Sequence, residues 1–179
     1  MEWGGSMTIG EEFLDQSRKV FRSQKELADK AITQLSDSEL LWQPDPESNS
    51  VAINMKHLAG NMISRWTDFL TSDGEKPDRH RDSEFEITSD DGESLLAYWE
   101  KGYAVFFKTL DSLTENDLLK TILIRSEPHT VIQAIQRQLS HYGYHIGQIV
   151  ALAKHINGEN WKTLSIPRGK SEEYLRGKK

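Results

Sequence analysis

The chain of 179 residues contains no cysteine. Disulfides, thiolate zinc sites and a cysteine nucleophile are therefore excluded, and any metal must be held by histidine, carboxylate or water. Long apolar runs are also missing. None approaches the roughly 20 residues that span a bilayer, so no membrane partner is expected. Positive charge is scarce, with 22 Lys and Arg against 28 Asp and Glu and a net charge of -6. Nucleic-acid binding needs clustered basic side chains to meet phosphates, so no nucleic-acid partner is expected either. The one basic concentration is the tail, Arg168, Lys170, Arg176, Lys178 and Lys179, interrupted by Glu172 and Glu173. It reads as a solvated terminus. Residues 1–6 lack the basic-then-apolar pattern of a signal peptide, which makes the cytoplasm the expected compartment. Met7 is an equally good start.

What is present is the composition of an ordinary globular domain, 36% hydrophobic and 28% charged, with enough apolar residues for one core. Residues 1–9 read as an N-terminal extension, 10–160 as the domain, and 161–179 as a tail packing on it or extending from it. Helical periodicity marks four long segments. The first runs from Gly10 to Leu35, with Phe13, Leu14, Ser17, Phe21, Ala28 and Ile32 on one stripe. The second runs from Ser50, a plausible N-cap, to Leu70. The third covers Asp91 to Leu113, and the fourth Thr130 to Asn157, with Gly158 as a left-handed stop. The expected fold is an all-α four-helix bundle.

The connections differ in kind. Pro44 and Pro46 break the chain after a short helical turn near Asp37 to Trp42. A long polar loop, Thr71 to Ser89, joins the second and third helices, and a loop of that length is more often functional than idle. Lys120 to Ile124 reads as a short strand or an extended link. Leu35-Ser36-Asp37-Ser38-Glu39-Leu40-Leu41 is echoed by Leu113-Thr114-Glu115-Asn116-Asp117-Leu118-Leu119. Each holds a capping-box pattern, hydroxyl then acid three positions on. The echo is either a repeat of two helical halves or a chance recurrence of caps.

The sharpest local feature is His141-Tyr142-Gly143-Tyr144-His145 on the fourth helix. Residues four apart share a face, close enough to share an ion. The spacing alone leaves two readings open: a ligand pair, or histidines lining the bundle. At about 100° per residue the pair falls at the edge of the apolar arc, on a stripe with Ala134, Gln138, Gln148 and Leu152. Gly143 and Gly147, costly in a helix, suggest close approach by another helix or a ligand. A third ligand must come from elsewhere. His155 lies roughly 15 Å farther along the helix, His129 sits at its start, and His80 is in the charged loop. His57 shares a stripe with Asn54, Asn61, Ser64 and Asp68 that faces away from the main apolar arc, so periodicity makes it a groove or surface residue.

The segment Asn54-Met55-Lys56-His57-Leu58-Ala59-Gly60-Asn61, followed downstream by His141-x-x-x-His145, resembles the DinB-like (YfiT-type) superfamily. The likeness extends from about Glu11 to Asn157. The stretch from Asp68 to Pro77, the run Arg81-Asp82-Ser83-Glu84-Phe85 and the tail Ser165-Ile166-Pro167-Arg168-Gly169-Lys170-Ser171 resemble an uncharacterised bacterial branch of it. The resemblance implies a four-helix bundle, often a homodimer, with a divalent metal such as Zn or Ni held by His57, His141 and His145. It also implies, for members of known activity, transfer of a low-molecular-weight thiol such as bacillithiol or mycothiol.

Three neutral imidazoles leave an open coordination position, which distinguishes catalytic from structural sites. The leading expectation is thiol transfer to an electrophilic small molecule. The chain has no cysteine, so the thiol comes from outside. No catalytic side chain is assigned; the reacting group is the water or thiolate at the open position. Metal-dependent hydrolysis is the alternative, and a non-catalytic metal-binding stress-response module the third. Glu75, Arg79, Arg81 and Asp82 are either a lid gripping a charged co-substrate or a solvated charged loop. Trp66, Trp99, Phe106 and Phe107 offer more apolar surface than one small bundle must bury, which agrees with oligomerisation.

Overall fold

The computed structural model describes residues 7–86 and 92–177, and these are mostly helical. Residues 1–6, 87–91, 178 and 179 lie outside the described set, so the ends of the N-terminal extension, of the long loop and of the basic tail are not characterised. The α-helices are α1 (Ile9–Ile32), α2 (Asp37–Leu40), α3 (Val51–Trp66), α4 (Gly92–Ser112), α5 (Val131–Asn157) and α6 (Ser171–Arg176). A two-stranded sheet, β1 (Thr121–Ile124) and β2 (Glu127–Thr130), precedes α5.

Of the four long helices, α1, α3 and α5 begin on a residue suited to the task. Thr8 and Glu11 form a capping box at the start of α1, and Thr130 and Gln133 form another at α5, satisfying amides that have no intrahelical partner. Ser50 caps α3 through the Ile53 amide. Gly158, at φ 52°, ends α5. Both echoed motifs cap as their pattern predicts: the Ser36 and Thr114 amides donate to Glu39 and Asp117 at 2.8 Å each. The C-terminal carbonyls of α4 are met from outside by Arg18, which donates to the carbonyl oxygens of Leu110 and Leu113.

α3 is the centre of the molecule. Of its 16 residues all but Lys56 and Ile63 are buried. α4 and α5 pack on it, and α1 packs along α5. A helix hydrophobic on one stripe and polar on another is normally half-solvated; here the polar stripe is covered as well. Its cover is the long loop, through the 3-10 turn Arg81–Phe85. The aromatic core joins the helices at ring separations of 4.7 Å (Phe21–Phe106 and Trp66–Phe106) and 5.5 Å (Phe106–Tyr142). Trp66, Trp99 and Phe106 are buried within the chain and Phe107 is half-buried. The apolar surface that suggested a second copy is thus absorbed by one.

The link before α5 is a hairpin, where the sequence suggested one strand or an extended stretch. Thr121 pairs with Thr130 and Ile124 with Glu127. The two residues between the strands, Arg125 and Ser126, have φ of 55° and 63°, a turn that favours Asn or Gly. Asp73 offsets the strain, its carboxylate accepting from the amides of Arg125 and Ser126 at 2.9 and 2.7 Å. The Gly74 amide donates to the Leu123 carbonyl at 2.8 Å. The long loop is therefore stitched to the hairpin from its first residues, and these do not form a free lid. In the tail, Trp161 and Leu164 pack against the core while α6 is exposed.

The glycine expectation needs correcting. At Gly147 an added Cβ would meet nothing within 4 Å, and at Gly143 only the end of Gln24. Among the described residues no helix crosses at Gly147. The tight crossing is at Gly102 of α4, where a Cβ would lie 2.7 Å from the Ala59 Cα of α3.

Candidate metal centre

His57 on α3 and His141 and His145 on α5 converge, and their ligand atoms lie within 4.8 Å of one another. His57 and His145 are buried, and His141 is half-buried. The edge position read from the α5 projection is the position found. Periodicity makes His57 a groove or surface residue; it is buried, because the loop covers Asn54, His57, Asn61 and Ser64 of its stripe, while Asp68 stays exposed. His80 is exposed in the loop, and His155 is exposed and stacked on Trp42. Neither they nor His129 join the cluster.

The outer nitrogens are held by neighbours. Asn54 Nδ2 donates to the Ser50 carbonyl at 2.9 Å, which turns Asn54 Oδ1 toward His145 Nδ1 at 2.7 Å. That oxygen only accepts, so His145 carries a proton on Nδ1. His57 Nδ1 lies 2.9 Å from Glu84 Oε2, again an acceptor. In the neutral rings both Nε2 lone pairs then point inward, and His57 Nε2 stands 3.1 Å from His141 Nε2. Three nitrogens around a tetrahedral ion, each at ~2.1 Å, would be about 3.4 Å apart. The donor set fits a divalent ion on this ground, and the carboxylate–histidine pairing is the usual support for such a ligand.

Glu84 is itself fixed. Arg79 donates to both its oxygens, from Nε at 2.8 Å and Nη2 at 2.9 Å. Burial alone would raise the Glu84 carboxyl, but the hydrogen bonds from His57 and Arg79 outweigh it and hold the group below its ordinary value. Gly60 makes room for it, since a Cβ there would overlap the Glu84 carboxylate. Beneath the histidines, Gln138 Nε2 donates to Asn61 Oδ1 at 2.6 Å and to the Tyr142 hydroxyl at 3.0 Å. Trp66 Nε1 donates to the same hydroxyl at 3.1 Å. A satisfied polar floor of this kind is rigid.

Of the four loop residues considered for a lid, Arg79 and Arg81 line a pocket of about 220 Å³ that His57 and His141 also line. Glu75 braces it, accepting from Arg79 and Arg125 at 3.3 and 3.2 Å. Asp82 is exposed. Asn54 and Glu84 were not picked out as site residues by sequence reasoning. Neither carried a local signal: Asn54 shares a polar stripe with His57, Asn61, Ser64 and the charged, exposed Asp68, which is what a solvated helix face also looks like.

Burial pushes His141 down to about 3, helped by the charges of His145 and His57. Burial, then His57, pushes His145 down to about 4. Both are neutral at pH 7, as metal ligands must be. Their unfolded values are near 6.5, so between pH 6.5 and 4 the unfolded chain takes up protons that the folded chain refuses. Stability of the metal-free protein should fall with pH across that window, by at most about 1.4 kcal/mol per pH unit per histidine. Thermal melts of EDTA-treated protein between pH 7.5 and 5 check this; a flat melting temperature contradicts it.

The sequence matches a family described as a protein of unknown function, DUF1572, over residues 8–170. The chain belongs to that family, and the matched region contains the three histidines, Asn54, Arg79 and Glu84. No curated protein matches it.

Proposed function

We propose that the chain is a metal-dependent enzyme of the DinB type, a four-helix bundle formed by α1, α3, α4 and α5, with His57, His141 and His145 holding one divalent ion, Zn or Ni. The observation that carries the reading is the convergence of three histidines, two with their outer nitrogens fixed by Asn54 and Glu84, at the wall of a pocket. A divalent ion held by the three histidines would supply Lewis acidity and would favour the thiolate form of a low-molecular-weight thiol. The residues' own work is to fix ring orientation, to keep the Nδ1 protons away from the ion, and to exclude bulk water from the buried side.

The reaction favoured is transfer of a low-molecular-weight thiol, bacillithiol or one like it, to an electrophilic small molecule. No carboxylate is among the residues lining the pocket, and Glu84 is engaged by His57 and Arg79. A hydrolase working through a general base has none at hand, whereas a thiol ionises near pH 8.5 unaided and needs less help. An assay of electrophile consumption with and without added thiol separates these outcomes. Turnover needing thiol supports the proposal. Turnover without it favours hydrolysis, and none with any thiol or ester leaves a structural metal module. The homodimer is proposed on the family resemblance, and the 10–160 domain limits and the cytoplasmic location on the sequence reading alone. Among the described residues no helix is long and apolar enough to cross a membrane.

A further inference from the structure

The pocket beside the three histidines is lined by five arginines: Arg65 from α3, Arg79 and Arg81 from the long loop, Arg125 from the hairpin turn and Arg137 from α5. In a chain of net charge -6, four separate segments bring guanidinium groups to one place. Among the described residues only two carboxylates pair with them. Glu75 lies 3.7 Å from Arg65, 3.3 Å from Arg79 and 3.2 Å from Arg125, and Glu84 takes Arg79. That leaves a surplus of three positive charges. Arg81 lies over the Phe85 ring at 5.1 Å. Neither it nor Arg137 has a carboxylate partner among the described residues. Arg65 is 2% exposed; its Nε donates to the Gly74 carbonyl at 3.2 Å, but its nearest carboxylate stands at 3.7 Å, so its buried charge is only partly compensated.

We propose that this pocket binds the oxyanion of a small substrate, a phosphate group or a pair of carboxylates, and holds the rest of that molecule against the three-histidine centre. The proposal rests on the reading of that centre as a reaction site. Guanidinium forks match phosphate and carboxylate oxygens in bidentate fashion, and several converging forks favour a multiply charged group over a single carboxylate. A pocket of about 220 Å³ is smaller than the ~300–1,000 Å³ usual for whole ligands. It therefore suits a charged headgroup, with the remainder of the substrate extending to the histidines. A cleft lined by charge of one sign raises the local concentration of the opposite ion, so the anion is also drawn in from solution.

Calorimetric titration of the full chain, as purified and after EDTA, with inorganic phosphate, with malate and with uncharged glycerol tests this. At least one of the two anions should bind and glycerol should not. Arg137→Ala and Arg81→Ala should each weaken anion binding by about tenfold, the scale of one charge-assisted hydrogen bond. Both side chains lack a carboxylate partner, so neither change strands a buried charge. Arg22→Ala, at a residue outside the pocket and paired with Asp111, should bind as wild type. Phosphate binding alone identifies a phosphoryl substrate, and malate binding alone a polycarboxylate. Metal content measured on the same samples separates the two claims. Anion binding that persists without metal and falls in Arg137→Ala supports the pocket even if the metal reading fails. Stoichiometric metal with no anion binding at about 10 mM, or binding unchanged in both arginine variants, overturns the pocket.

Discussion

Glu84→Ala should weaken metal binding by about 10–100-fold although all three histidines stay in place. Glu84 is the acceptor for His57 Nδ1 and the bidentate partner of Arg79, both of whose side chains are nearly buried. Without it the His57 ring is free to change tautomer and tilt, and Arg79 keeps only the longer contact to Glu75. Leaving a buried charge short of its partner costs about 3 kcal/mol, so the melting temperature should fall as well. Gly60→Ala should lower metal affinity by the same route, because the new methyl displaces the Glu84 carboxylate. Competition against a chelator of known affinity reads the effect. Affinity within a factor of about two of wild type in Glu84→Ala would show that the carboxylate does not support the site.

Gly102→Ala should destabilise the protein by about 1–3 kcal/mol, against what helix propensity alone predicts. Alanine is better than glycine inside a helix by about 1 kcal/mol, and α4 is a regular helix of 21 residues. The added methyl, however, would stand 2.7 Å from Ala59 Cα and 3.2 Å from the Ala59 carbonyl oxygen. Backbone atoms cannot rotate aside, so α3 and α4 must part along their whole contact. A shift of ~2–4 °C per kcal/mol is expected for a chain of this size. Gly147→Ala is the matched comparison: nothing lies within 4 Å, so the propensity gain should appear there undiminished. The two melts should move in opposite directions, and a rise in both would mean that the helices crossing at Gly102 are not held as described.

What could be read from the sequence follows how local each feature is. The long helices start and stop on their own residues, Thr8, Ser50, Thr130 and Gly158, so their ends were legible to within a few residues. The pair His141 and His145 was legible too, because helical spacing alone puts both on one face. His57 was placed by family resemblance, while periodicity left it a groove or surface residue and did not select it. The rule that a polar stripe faces solvent fails when a loop folds over the helix, and residues 73–86 do so here. Glu84 had no local mark at all. It is one acid among several in a charged loop, and only the closure of that loop across Gly60 brings it to His57. The same holds for the pocket: its five arginines are scattered from 65 to 137, and no composition window contains them. Of the hairpin, β1 was visible, but its turn was hidden because Arg125 and Ser126 are poor turn residues made tolerable by Asp73, some 50 positions earlier.

The central claim is that the three histidines hold a metal ion. Elemental analysis of protein purified without chelators tests it most directly, on wild type and His57→Ala together. About one divalent ion per chain in wild type and a large loss in His57→Ala is the predicted result. A wild type without stoichiometric metal, even after dialysis against Zn or Ni, or a His57→Ala variant that keeps its full complement, would contradict it.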